Sequence, residues 1–140
     1  MKALVLVAVL VAGQALAEDR RQLAPMPPAA REALREEMLG NLLAINEVLT
    51  LMAAGKLKEA GQAAEASLGR SAQGKHRDKP FNARPGPHMP PAMHEIGIDG
   101  HFAASEFAKA AAGGDREKAL ALLPNLTGAC VACHYSWRTR

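Results

Sequence analysis

Two cysteines and a histidine close to the C-terminus are the residues of this chain best suited to chemistry. They lie in the sequence CVACH, from Cys130 to His134, and the two cysteines are the only ones among 140 residues. The pattern C-x-x-C-H is typical of covalent c-type haem attachment. Each thiol adds to one haem vinyl group, the two intervening residues space the sulfurs to match the vinyls, and the histidine becomes an axial iron ligand. The motif therefore predicts one covalent haem c, attached to Cys130 and Cys133 and ligated by His134 as the proximal ligand.

Other uses of a cysteine pair remain as alternatives. A redox-active C-x-x-C accompanies a βαβ pattern, and this chain contains no alternating β-branched strand. A structural zinc site usually needs four Cys or His ligands at recognisable spacing, and no second cysteine pair exists. A disulfide is the ordinary state of two thiols in an oxidising compartment. The C-x-x-C-H spacing favours haem over all three.

The N-terminal residues predict export. Lys2 is followed by an apolar run over residues 3–12 and by the small-residue sequence Ala15-Leu16-Ala17. This arrangement is typical of a secretory signal peptide, and the run is shorter than the roughly 20 apolar residues of a transmembrane helix. We expect cleavage after Ala17, a periplasmic mature protein with no stable membrane span, and one domain over residues 18–140.

The charge distribution excludes some function classes. The formal net charge of +3 becomes +2 when Lys2 is removed, and the remaining Lys and Arg are scattered among Asp and Glu. A nucleic-acid partner would require a basic stripe, so none is expected. No Ser/His/Asp constellation, phosphate-binding loop or paired acids can be assigned, and we therefore predict that the protein is not an enzyme.

Hydrophobic periodicity predicts four amphipathic helices. In the first helix, apolar residues recur at steps of three or four, and Gly55 follows as a stop; this stripe consists of Leu34, Met38, Leu42, Ile45, Leu49 and Met52. The predicted helices cover residues 28–54, 57–68, 92–112 and 116–137. Pro124 should kink or break the fourth helix. A long Pro- and Gly-rich loop, about residues 69–91, should either form a mobile crossover or cover one edge of the haem.

Short turns at two junctions and one long connection predict an all-α fold, an up-and-down four-helix bundle. The fourth helix has an inward stripe at Ala119, Leu122, Leu126, Cys130, Cys133 and Trp137. The haem would thus lie near the C-terminus, between helices, with Trp137 packed against the porphyrin edge or the bundle.

A signal peptide, four helices and a C-terminal CVACH together resemble the class II c-type cytochromes, the family of cytochrome c-prime and cytochrome c-556. The resemblance implies that His134 is the proximal ligand and that the first helix faces the other side of the iron. It also implies redox partner proteins and, for some members, a homodimer. Leu39, Leu43 and Val48 extend an apolar surface of the first helix that would permit such a dimer.

The sixth ligand decides between two functions. Met38 lies on the inward stripe, and Met/His ligation raises the reduction potential, so it is the favoured distal ligand and the favoured role is one-electron transfer. Met38 could equally be core filler, since methionine packs irregular gaps. Open-site members of the family place an arginine about one turn before the residue that faces the iron, and Arg35 precedes Leu39 by four positions. A site open at Leu39 would instead bind small diatomic gases.

Other residues are candidates for binding a haem propionate, the iron or a copper ion. Arg35 or Arg31 could pair with a haem propionate. One of four histidines, His76, His88, His94 and His101, could replace Met38 as the sixth ligand. The sequence PHMPPAMH combines thioether and imidazole donors and could bind copper. Peroxidase activity would need polar distal groups, which the sequence does not identify.

Overall fold

Four α-helices dominate the computed structural model, which describes residues 18–140. The predicted signal peptide lies outside the described residues. The helices span Pro28–Ala53 (α1), Leu57–Leu68 (α2), Pro91–Ala112 (α3) and Arg116–Ser136 (α4). The all-α, four-helix prediction is confirmed, with each helix boundary within one residue of its expected position. Within residues 18–140, every helix is too short or too polar to cross a membrane.

The helix ends follow from local sequence. Pro28 begins α1, where the missing N–H costs nothing, and Gly55 takes a φ of 74° in the turn that follows. The Asp115 side chain accepts a hydrogen bond of 2.9 Å from the backbone N–H of Lys118 and so caps the N-terminus of α4. Pro124 lies inside α4, which continues to Ser136 without a break.

Consecutive helices pack side by side: α1 on α2, α2 on α3, and α3 on α4. The main core lies among them and consists largely of alanine, with Val48 and Phe107 as its largest fully buried side chains. Small residues let the helices approach closely. A Cβ placed on Gly61 of α2 would lie 2.9 Å from the carbonyl oxygen of Ala108 in α3. By contrast α1 and α4 approach each other less closely, and a cavity of about 1150 Å³ lies between them.

The buried face of α1 differs from the predicted stripe. Leu34 and Met52 are buried as expected, but Leu42 is 67% and Leu49 47% exposed. The main core receives Ala44 and Val48 beside the predicted Met52, and the predicted Ile45 packs against it half-buried. The helical period fits two overlapping sets of residues in α1, the predicted leucine-rich set and the set with Ala44 and Val48. The set with smaller side chains is buried because it can pack more closely against the alanine-rich surfaces of α2 and α3.

A strand pair joins the two ends of the described chain and was not predicted. Gln22–Leu23 (β1) runs parallel to Trp137–Arg138 (β2), and the backbone N–H of Ala24 donates to the Arg138 carbonyl at 2.8 Å. The pairing ends α4 at Ser136, one residue before the expected end. It therefore holds the segment before α1 against the end of the helix that carries CVACH.

The Pro- and Gly-rich loop has more local structure than expected. It contains three short 3₁₀ turns, Arg70–Ala72, Phe81–Ala83 and Gly86–His88, and ion pairs attach it to α1. Lys79 Nζ lies 3.5 Å from Glu36 Oε2, and Lys75 Nζ lies 3.7 Å from Glu37 Oε1. The loop therefore lies along the N-terminal half of α1 and forms one wall of the cavity.

Candidate haem site

CVACH lies in the last two turns of α4 and faces the cavity. Cys130, Cys133 and His134 all line it, and helical spacing places the two thiols on the same side of α4, one turn apart. Both cysteines are free thiols. Partial burial raises the pKa of both above its ordinary value, and at Cys133 the neighbouring Cys130 raises it further. The two thiols are not joined to each other.

The cavity is large enough for a cofactor. Its volume is about 1150 Å³, whereas small-molecule and cofactor pockets enclose roughly 300–1,000 Å³. Its walls come from the N-terminal half of α1, the loop, the first turns of α3 and the C-terminal half of α4. A second, smaller apolar cavity of about 410 Å³ lies between α1 and α4 and shares Ile45 and Leu126 with the first.

A methionine-rich cluster forms the apolar wall facing α4. Ala24, Leu34 and Met93 are its buried members, and four partly buried side chains besides Cys133 pack against them: Met26, Met38, Met89 and Trp137. Trp137 packs against the cluster of Ala24, Leu34 and Met93, which agrees with its predicted role in core packing. Sequence reasoning considered Met89 and Met93 only for copper, because nothing in their spacing from α1 indicated that the loop and α3 would bring them to Met38.

Met38 and Leu39 have different environments, although they are neighbours in sequence. Met38 is half-buried and lines the cavity, together with Met89 and Met93. Leu39 is 56% exposed and is not among the cavity-lining residues. Of the two residues proposed to face the iron, Met38 is therefore the one directed towards the site.

Seven arginines line the cavity. Six of them are called here the basic rim: Arg21, Arg31, Arg35, Arg77, Arg138 and Arg140. The seventh, Arg84, donates from Nε to the Lys79 carbonyl oxygen at 2.6 Å. Arg35 lines the cavity, and its guanidinium makes only a loose exposed pair with Glu32, at 3.8 Å. The Arg31 guanidinium reaches the Thr139 carbonyl at 3.5 Å. Both residues therefore remain available to an acidic group of a bound cofactor.

Asp19 organises the part of the basic rim nearest CVACH. Its carboxylate accepts from the Arg21 side chain at 2.8 Å and lies 3.9 Å from Arg138 Nε. The hydrogen bonds from Arg21 lower the pKa of Asp19 to about 2. Arg21 Nη1 in turn lies 3.5 Å from the His134 carbonyl oxygen, so these charges lie directly beside the predicted iron ligand.

Two of the other histidines contact backbone carbonyl oxygens through a ring nitrogen. His101 Nδ1 lies 2.7 Å from the Leu68 carbonyl oxygen at the end of α2, and His88 Nε2 lies 3.1 Å from the Phe81 carbonyl oxygen. His94 lines the cavity. His76 also lines it, and its Nε2 lies 3.2 Å from Glu37 Oε2. The angles there do not form a hydrogen bond, and Nε2 has no other partner within residues 18–140.

Metal binding by carboxylates, imidazoles and thiols alone is not supported. In the described part of the chain, no three or more His, Cys, Asp or Glu side chains come together as a metal site. Of the two histidines in PHMPPAMH, His88 contacts the Phe81 carbonyl oxygen, whereas His94 lines the same cavity as Met89 and Met93, the thioethers of the copper prediction. The donors that line this cavity are two thiols, the adjacent imidazole of His134, three further imidazoles and several thioethers.

Comparison with known proteins adds no further constraint: no family model, curated protein or solved structure matches this chain.

Proposed function

We propose that this protein is a periplasmic monohaem c-type cytochrome that transfers single electrons through His134/Met38-ligated iron. One observation carries the proposal. Two free thiols and the adjacent His134 open into a cavity of about 1150 Å³ whose facing wall carries Met38. A haem requires attachment, an axial imidazole, an apolar enclosure and partners for its carboxylates, and residues suited to all four surround this cavity.

Each part of the site has a distinct task. Cys130 and Cys133 would hold the cofactor covalently, and His134 would ligate its iron from α4. The haem supplies the one-electron chemistry, and the protein tunes it through axial ligands and burial. Met38 would provide the second axial ligand from α1. The methionine-rich cluster and Trp137 exclude water from the apolar face.

The charged residues would orient the cofactor. Arg31 and Arg35 lie at the mouth with loosely held guanidiniums, and arginine suits carboxylate binding because its planar donors match two oxygens. The ion pairs of Lys75 and Lys79 with α1 hold the loop as a wall of the site. We propose that this loop covers one edge of the haem rather than acting as a mobile crossover.

The optical spectrum of the purified haem-loaded protein tests the ligand assignment. Oxidised and reduced samples of the wild type, Met38→Ala and Leu39→Ala are compared, with carbon monoxide added to each reduced sample. Leu39→Ala is the matched control because it removes an adjacent, exposed side chain. We expect a low-spin wild type and a low-spin Leu39→Ala, both inert to the gas, and a high-spin Met38→Ala that binds it.

Other results would change the proposal in defined ways. A high-spin wild type that already binds carbon monoxide, unchanged by Met38→Ala, would support the gas-binding alternative and contradict Met38 as ligand. Met89 and Met93 line the same cavity, so Met89→Ala and Met93→Ala are measured in parallel. If only one of these variants becomes high-spin, the distal ligand is that methionine and the electron-transfer role stands.

A further inference from the structure

The charges of this protein are separated between the cavity and the rest of the chain. Eight basic side chains line the cavity against two carboxylates, a net charge of +6. The whole chain carries 17 basic and 14 acidic residues, so nine basic and twelve acidic residues lie elsewhere, a net of −3. A chain whose overall charge is nearly balanced therefore presents a strongly positive mouth.

A bound haem would not cancel this charge. Two propionates would neutralise at most two of the six net positive charges, since each carboxylate carries one negative charge. The arginines nearest CVACH, Arg21 and Arg138, share a single carboxylate, that of Asp19. The Arg140 side chain has no ion pair within the described residues. The mouth thus remains positive when the cofactor site is filled.

Two large exposed side chains lie on α4 outside the cavity lining. Val131 is 66% and Tyr135 83% exposed, one turn apart on the helix that carries the thiols. Protein–protein interfaces are enriched in arginine and tyrosine and depleted of lysine. Seven of the eight basic side chains that line the cavity are arginines and only Lys75 is a lysine, so the composition matches a protein interface better than a lysine-rich membrane-binding patch.

We propose that the basic rim, with Val131 and Tyr135, is the docking surface for an acidic redox partner protein. This inference rests on the proposed function and specifies its partner. Docking here would bring the partner to the end of α4, where Cys130, Cys133 and His134 lie, and so shorten the path for an electron. Clustered charge of one sign at a cleft raises association rates by roughly 10–10³ and makes them dependent on ionic strength.

The rates at which two small oxidants of opposite charge oxidise the reduced protein report the charge at the surface where the electron leaves it. Reduced protein passes one electron either to hexacyanoferrate(III), a trianion, or to tris(phenanthroline)cobalt(III), a trication, in a stopped-flow instrument over a range of salt concentrations. The variants are Arg138→Glu/Arg140→Glu at the mouth and, as a matched control, Lys56→Glu/Lys58→Glu at the start of α2. Both double variants change the net charge equally.

We expect the mouth variant to slow reduction of the anionic oxidant by about tenfold at low salt and to speed reduction of the cationic one. The control should change both rate constants by less than about twofold, and high salt should remove the differences because the charges are screened. Arg140→Glu alone, at the chain end, gives a smaller change of the same sign without disturbing the strand pair. Equal effects of the mouth and control variants would overturn the proposal.

Two binding assays identify the class of partner. Poly-L-glutamate serves as the acidic polypeptide, and phosphatidylglycerol-containing vesicles serve as the anionic membrane. The proposal is supported if the protein binds poly-L-glutamate at physiological salt, if the mouth variant loses this binding and if the control variant keeps it. If the protein binds only the vesicles, the surface is a membrane-binding surface and the proposal is overturned. These assays need no electron transfer, so they still decide the charge of the surface if the purified protein lacks covalent haem, an outcome that would contradict the proposed function separately.

Discussion

Replacing Ser105 with alanine should destabilise the protein at neutral pH by about 1.5 kcal/mol. The Ser105 hydroxyl donates to Glu65 Oε2 at 2.6 Å and accepts from the backbone N–H of Arg70 at 2.9 Å. Ser71 adds a backbone hydrogen bond of 3.0 Å to Glu65 Oε1. This network joins the C-terminal turn of α2 to α3 and to the start of the loop that forms the cavity wall.

The magnitude follows from the kind of hydrogen bond that is lost. Hydrogen bonds to charged groups contribute roughly 1.5–3 kcal/mol, and the half-buried position of Glu65 and Ser105 places this one at the lower end. The Arg70 N–H is close to solvent, so water replaces the lost acceptor at little further cost. Ser67→Ala is the control, because Ser67 lies on the same helix as Glu65 and has no part in this network.

The pH dependence has a definite sign. The hydrogen bond from Ser105 is the largest cause that lowers the pKa of Glu65 below its ordinary value. A carboxyl group whose pKa is lowered by folding stabilises the protein above its unfolded-state pKa, and this contribution is lost as the pH falls through the folded-state pKa. The effect of Ser105→Ala on the free energy of unfolding should therefore be larger at pH 7 than at pH 3.

Urea unfolding followed by circular dichroism at pH 7 and pH 3 measures both quantities, since the midpoint and slope give the free energy of unfolding. A loss below about 0.5 kcal/mol at pH 7 would lie within the range of an ordinary surface substitution and refute the role of this network. An equal loss at both pH values would refute the contribution of the ionised Glu65 carboxylate.

Three further predictions concern the core, the helix contact and the charges beside CVACH. Phe107→Ala, at the largest fully buried side chain, should cost about 3–5 kcal/mol in urea unfolding, and a loss below 1 kcal/mol would mean that Phe107 is not in the core. Gly61→Val should cost about 1–3 kcal/mol because its side chain would overlap the Ala108 carbonyl; a neutral or stabilising effect would contradict the close contact of α2 with α3. The Asp19 carboxyl should titrate in NMR spectra with a pKa of about 2 and return towards its ordinary value in Arg21→Gln, and an unchanged pKa in that variant would contradict the Arg21 hydrogen bonds.

The helices could be predicted from the sequence because their boundaries are encoded locally. Proline at the start of α1, Gly55 after it and Asp115 before α4 mark ends by backbone chemistry that needs no tertiary contact. The position of CVACH near the end of the last helix followed in the same way. The structure adds that CVACH faces a cavity, with α1 on the opposite side.

The inward face of α1 could not be predicted, because it depends on the partners of the helix. Leu42 and Leu49 satisfy the helical period as well as Ala44 and Val48 do, and only the small side chains of α2 and α3 decide which set is buried. The strand pair of Gln22–Leu23 with Trp137–Arg138 also escaped prediction. Two residues are too few to show an alternating pattern, and their pairing spans nearly the whole described chain.

The grouping of charged residues and methionines around the site could not be predicted from the sequence either. Met93 and Arg77 are distant from Met38 and Arg138 in sequence, and the residue pattern gives no distance between them. Their convergence depends on how the loop lies across α1, where it makes ion pairs with Glu36 and Glu37. Basic residues that are scattered along the sequence thus line one cavity in the folded protein.

The intact mass of the denatured protein tests the central claim most directly. The protein is produced with a c-type haem maturation system, and the wild type is compared with Cys130→Ala/Cys133→Ala under conditions that remove any non-covalent cofactor. We predict that the wild type carries the mass of residues 18–140 plus one haem and that the double variant carries the polypeptide mass alone. A wild type with the mass of the polypeptide alone, or of the polypeptide with one disulfide, would contradict haem attachment and the function proposed from it.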